Sequence, residues 1–485
     1  MKKTMLLIVL AMATVATQAQ PALGRGRETK LVDAVKLNEG QYAGQYGKLD
    51  CWVVEGKKHQ QRFSMFDLNL VEQYGVVLPK SGDSRVLAAS MDATKAGVLV
   101  VDNGDKHRTV LGRYQVTLAG CSVEGTAMDT LRVLDYGKKD RCNVWGAVSP
   151  SGNYMAVVAI VEFTATSEYG TYIALFDAVG ELKWSQEFAL GTMSDMMVTD
   201  DGRVLTLGQE PQGEEVAIIV NYLTEANAVS IKNFLKCDPI KQLRLAALHG
   251  DHLLAVGTYG VGGGKRTEHL TSGMLSLAFN LDSNSLTNLS VRLLNNEEIN
   301  TLYNKPSKKI QRELMTENYE LLDQVSTDYG CAALYGRRYR VEYTNSAGRS
   351  VYDFVCVGLE CMGVDTNGRV MWVRDIRRND VQKEEGNLLG VSLLVANGRT
   401  SVVKAEHKKM PANYDVSKPA KELQAGDKAN IVLYSFDAAG EGQKLVIEKG
   451  VKQSLVRALK RHDGSLLLLS SNGSKSRAAE LRFVY

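Results

Sequence analysis

Eleven positions carry the chemistry this chain is best equipped for: Lys265, Arg266 and His269, Arg337, Arg338, Tyr339 and Arg340, Arg377 and Arg378, and Lys408 and Lys409. They are interleaved with Tyr259, Tyr343 and Tyr414. Guanidinium and ammonium groups beside aromatic rings suit an anionic glycan or an acidic protein surface, through charge-assisted hydrogen bonds and cation–π contacts. Bond-breaking chemistry is thinly supplied. The chain has no GxSxG elbow, HExxH, CxxC or P-loop, so no catalytic residue is assigned. His249 and His252 in HGDH are two possible metal ligands with no evident third, and they sit at a turn, so no metal is expected.

These side chains need a frame, and the frame repeats. YIALFDAVGELKW (172–184) and CMGVDTNGRVMW (361–372) share a plan: an apolar run stops at Asp, turns through a Gly three residues later and resumes as a strand ending in Trp. DAAG (437–440) is a third copy, and looser versions occur at MFDLNLVEQYGV (65–76) and LAFNLDSNSLTNLSV (277–291). Asp at the first turn position accepts backbone N–H groups and Gly at the last takes positive φ, so each copy reads as a β-hairpin.

A second signal alternates with the first. Polar turns with Gly152, Gly202, Gly250, Gly330, Gly398 and Gly464 each precede a short apolar strand, and Gly97 marks a weaker seventh. Their spacing starts near 50 residues and lengthens later in the chain, which fits a β-propeller of four-stranded antiparallel blades. The seven marked strands predict seven blades. Eight would follow if LDCWVVEG, QRFSMFDL and LVEQYGVV near the N-terminus formed a partial blade completed by the C-terminal strands SLVRALK, SLLLLSS and AAELRFVY. Either ring would remove exposed sheet edges.

YIALFDAVGELKW resembles the repeat of PQQ-like and WD40-like propellers, whose third strand, turn and fourth strand carry a similar Asp, Gly and Trp pattern. Members with quinone carry docking tryptophans in most blades, whereas here only Trp184 and Trp372 fit. With no vicinal cysteine pair and no calcium ligand set, no cofactor is expected. The resemblance implies the noncatalytic branch, whose exported members act as envelope scaffolds. STDYG (326–330) is similar to the Asp-box of sialidase propellers, but it occurs once and precedes a second strand.

In an antiparallel blade the connections between strands two and three share one rim with those between blades. TATSEYG, EPQGEE, YGVGGGKRTEHLTSG, RRYRVEYTNSAGRS and EHKKMPANYDVSKPAKELQAGDK all fall there, as does a helical insertion expected at about 295–322. The cations named above belong to this rim, and an elaborated rim is where a scaffold binds. A glycan-processing hydrolase or lyase, the alternative, would instead gather carboxylates of perturbed pKa around the central channel.

MKKTMLLIVLAMATVATQAQ pairs two lysines with a short apolar run and a small-x-small site, so residues 1–19 read as a signal peptide cut after Ala19. Residues 20–35 then read as a linker and 36–485 as a single propeller domain. The chain is expected in the periplasm or on the outer surface of a Gram-negative bacterium, with an envelope protein or anionic glycan as partner. No further segment is long and apolar enough to span a membrane. The formal charge of +3 falls to +1 without the leader's lysines, which gives nucleic acid no role. Among seven cysteines, Cys331 and Cys356 face each other if Gly336 pairs with Val351; a cross-strand disulfide is then conceivable, and packed free thiols are the simpler reading.

Overall fold

The computed structural model describes residues 20–25, 37, 40–55, 60–79, 84–125, 127–188, 191–212, 215–236, 240–260, 271–293, 319–344, 350–383, 390–396, 398–411, 413, 421–424, 427–451, 454–461, 465–471 and 476–484. Their strands make eight sheets arranged as an eight-bladed propeller, each built on four antiparallel strands, with a two-residue fifth strand added in blade 2 (Ser122–Val123) and, in parallel, in blade 6 (Leu423–Gln424). Blades 1 to 7 occupy 41–77, 84–135, 141–187, 195–235, 240–293, 319–383 and 391–451. Blade 8 combines 454–484 with 20–25. Among the described residues no helix is long and apolar enough to cross a membrane.

The propeller has eight blades, the alternative left open beside the first expectation of seven, and its closing blade joins strands from both termini, with a different N-terminal strand from those anticipated. The N-terminal strands Leu49–Glu55, Gln61–Phe66 and Glu72–Val77 form a complete blade with Gln41–Tyr46. The C-terminal strands are completed by Gln20–Arg25, read above as linker, which pairs antiparallel with Ser476–Val484 from Gln20↔Val484 to Arg25↔Ala479. The anticipated helical insertion falls mostly outside the described residues, and from Tyr319 the chain is already the inner strand of blade 6, Tyr319–Thr327.

Strands such as Tyr154–Phe163, with a seven-residue buried run, hide both faces, as sheets stacked face to face require. The core is accordingly divided into eight apolar clusters, one per seam between neighbouring blades. The closing seam packs Trp52, Phe66 and Leu70 of blade 1 on Leu467, Leu469 and Ala478 of blade 8.

The Asp turns lock these seams. Asp177, Asp365 and Asp437 each accept two backbone N–H groups two and four residues on, at 2.8–3.1 Å. Asp67 does the same with Asn69 and Val71, although the glycine position of that turn holds Leu70 at φ 55°. Each of the three glycine turns seats on the preceding blade. Arg113 donates to Gly180 O at 2.7 Å, Ser276 to Gly368 O at 2.8 Å, and Arg374 to Gly440 O at 2.7 Å. The repeated motif is therefore an interblade plug, which explains why the sequence reuses it.

Candidate functional site

Two regions hold the groups able to recognise a ligand: the axial channel and the rim of blades 6 and 7. The channel is a cavity of about 2130 Å³ lined by the inner strands of all eight blades. Side chains on these strands reach across to the backbone of the next blade. Asp195 Oδ2 accepts Leu245 N at 2.7 Å, Gln242 Oε1 accepts Leu321 N at 2.7 Å, Asp323 Oδ2 accepts Leu393 N at 3.0 Å, and Ser392 Oγ accepts Ala458 N at 2.9 Å. Together they stitch blades 4 to 8. The donors at Leu245, Leu321 and Ala458 lie at or beside bulges in the inner strands, where the ladder register shifts and frees an N–H.

The alternative enzyme reading asked for carboxylates of perturbed pKa at the channel, and two are found. Burial lifts the Asp195 carboxyl above the usual range, against backbone N–H groups of Leu245 and Met196 and the charge of Arg244. Burial does the same at Asp323, against Leu393 and Gln324 N–H groups and the charges of Arg244 and Arg457. They stand on blades 4 and 6, each already bonded to a neighbour's main chain, so their geometry is that of stitches. Asp323→Ala strands the Leu393 and Gln324 N–H groups and is expected to cost about 1–3 kcal/mol in urea unfolding; no measurable loss would remove the stitch. Sequence reading missed these residues. Their signal is a polar residue in an apolar inner strand, six to eight positions before the turn glycines Gly202, Gly250, Gly330 and Gly398.

The rim is dominated by blade 6. Its second, third and fourth strands, Gly330–Thr344, Ser350–Asp365 and Val370–Lys383, run 15, 16 and 14 residues, against at most 11 elsewhere. Among the described residues the inner strand's pairing runs to Tyr319↔Arg337, and the three outer strands continue past that point. Arg338 pairs with Cys356, which pairs with Asp380, and Asp380 pairs in parallel with Leu423 from the long connection of blade 7. Residues far apart in sequence are thus brought together on blade 6: Arg338, Tyr339 and Arg340 on the extension, Arg337 at its base, Arg377 and Arg378 two strands away at the bulge level with Arg337, and the neighbouring connection of blade 7, which starts with exposed Lys408 and Lys409.

Several expectations change here. Arg378 is a rim-loop residue no longer: it lies in a strand, 4% exposed, with its Nε donating to Asp380, because the outer strand of blade 6 continues past the loop expected there. RRYRVEYT and EPQ are likewise strand, in Gly330–Thr344 and Val204–Gln212. Tyr259 is buried. Lys265, Arg266, His269 and Tyr414 lie outside the described residues. The same long strands displace the proposed cysteine register: Gly336 pairs with Leu359, Cys331 faces Val364, and the two cysteines are not joined in a disulfide. His249 Nε2 lies 2.7 Å from Gly330 O of the next blade, so that histidine serves a seam. Among the described residues no group of three or more His, Cys, Asp or Glu side chains is placed to hold a metal ion.

No family model matches the chain, and no curated protein does. Solved structures similar to it include the WD40 domain of SCAP from fission yeast, at 8% identity and a TM-score of 0.36 over 96% of this chain and 98% of that one. The polysaccharide lyase Uly1 is similar at 11% identity and 0.37, over 84% and 90%. The β-propeller domain of the Trilobed protease from Pyrococcus furiosus is similar at 14% and 0.27, over 71% and 93%. Overlaps this low assign the chain no family, activity or ligand.

Proposed function

We propose that the protein is a noncatalytic binding scaffold of the cell envelope, holding an acidic protein surface or an anionic glycan on the extended sheet of blade 6. The observation that carries this reading is the convergence on that blade of the strand bearing Arg337, Arg338, Tyr339 and Arg340, the strand bearing Arg377, and the connection bearing Lys408 and Lys409. The channel carboxylates support it too, since their bonds to neighbouring blades serve the ring. Export is supported by the basic, apolar start of the chain.

Affinity capture from envelope extract tests the reading, run beside a Lys408→Glu/Lys409→Glu variant. Both lysines are exposed, so the fold should survive. A defined acidic protein or anionic glycan is expected to be captured, with recovery at least about tenfold lower on the variant, as the reversal of two rim charges beside an anionic partner implies. Equal recovery on both proteins sinks the rim reading and turns attention to the channel. Amino-terminal sequencing of the native protein tests export, with Gln20 as the expected first residue.

A further inference from the structure

The seam between blades 6 and 7 buries a set of charges that no turn or stitch uses. Arg378 and Asp380 come from the outer strand of blade 6. Lys404 and Glu406 come from Arg399–His407, Tyr434 from Ala429–Phe436 and Lys444 from Gly442–Val451, all of blade 7. The five charged side chains are 5% exposed or less, and Tyr434 is 4% exposed.

Among the described residues three cations here share two carboxylates. Asp380 takes the Arg378 guanidinium. Glu406 takes Lys444 Nζ on Oε1 at 2.5 Å and the Tyr434 hydroxyl on Oε2 at 2.9 Å. Lys404 Nζ stands 4.0 Å from Glu406 Oε2 and donates to Ala405 O at 3.2 Å. Each carboxylate already has a closer cation. A third buried cation would add a desolvated charge to carboxylates already paired, and an ammonium in that place lowers its cost by giving up its proton.

We propose that Lys404, set among these cations, gives up its proton in the folded protein at a pH where exposed lysines keep theirs, and that its protonation loosens the seam between blades 6 and 7. Burial pushes the Lys404 ammonium below its usual lysine pKa; Asp380 and Glu406 oppose that shift, and Arg378 and Lys444 add to it. An amine depressed on folding is protonated in the unfolded chain and neutral in the folded one, between its folded value and about 10.4. Unfolding in that window takes up a proton. Stability therefore rises with pH through the window, and the contribution is lost as pH falls through the folded value. The effect reaches the rim through Asp380, whose side chain is in the set and whose backbone pairs with Leu423. The device stands whether or not the extension of blade 6 holds a ligand.

Urea unfolding of the full mature chain from pH 7 to 10.5, with and without Lys404→Met, tests it. One proton of difference changes the unfolding constant about tenfold per pH unit. The unmodified protein should show that extra slope over the variant within the window, and parallel profiles would overturn the proposal. A titration of lysine side chains by NMR in the unmodified protein is independent of how the variant folds. One lysine, assigned to Lys404 by its absence in the variant or by sequential assignment, should titrate below the ordinary lysine range. A Lys404 signal titrating with the exposed lysines overturns the proposal equally.

Discussion

Arg461→Ala is expected to lower the free energy of unfolding by about 3–5 kcal/mol, the range for leaving one partner of a buried ion pair uncompensated. Arg461 closes the inner edge of blade 8, and Asp50 stands in Leu49–Glu55 of blade 1, 411 residues earlier. Both are under 5% exposed. Arg461 Nε donates to Asp50 Oδ1 at 2.8 Å and Nη2 to Oδ2, while Nη1 lies 3.2 Å from Glu480. A fork on a carboxylate fixes angle as well as distance. The location decides the size of the effect. This seam is closed by pairing of Gln20–Arg25 with Ser476–Val484, by the cluster around Trp52 and Leu469, and by this pair.

The loss should therefore appear as a lower urea midpoint and as earlier proteolysis at both ends of the chain. Replacing both partners with apolar residues, Asp50→Leu with Arg461→Met, should recover most of the stability, because no charge is then stranded. If Arg461→Ala costs under about 1 kcal/mol, a value typical of exposed pairs, the pair is not what holds the ring shut.

How much of this was legible in the sequence follows the physics of each feature. The plug turns were readable because Asp and Gly each serve a backbone need that few other residues meet. Blade 1 was obscured because its plug carries Leu70 at positive φ in place of glycine. The strand that completes the eighth blade was hard to read because QPALGR is short and its pairing partner lies at the far end of the chain. The register weighed for Cys331 and Cys356 fails because it assumes strand lengths, and the second and third strands of blade 6 pair over a longer stretch with a bulge after Gly336. The stitches at Asp195 and Asp323 and the charges around Lys404 depend on which blade faces which, and a single strand of sequence carries no such information. The cations on Arg337–Arg340 and Arg377 were found as residues, and their convergence came from the topology alone.

Trp372→Ala is the other substitution with a large expected effect, about 3–5 kcal/mol for removing a buried tryptophan. The ring occupies a slot defined by two glycines. Gly363 is its partner across the sheet, and a Cβ there would lie 2.3 Å from the ring. Gly440, at φ 77°, belongs to the plug of blade 7, and a Cβ there would lie 2.6 Å from the ring. Nε1 donates to Ala438 O of the same plug at 3.1 Å, and the Phe436 ring packs against it in a tilted arrangement with centroids 5.6 Å apart. The indole is thus the seat into which the DAAG turn fits. Two effects of Gly440→Ala separate on this account: positive-φ strain, which persists without the ring, and the clash with the ring, which vanishes with it. Gly440→Ala should cost less in the Trp372→Ala background than alone, by more than the 0.3–0.5 kcal/mol within which independent sites usually add. Thermal and urea unfolding of the two single variants and the double variant give the coupling directly. Strict additivity would mean that the plug is seated by backbone strain and by Arg374 rather than by the indole.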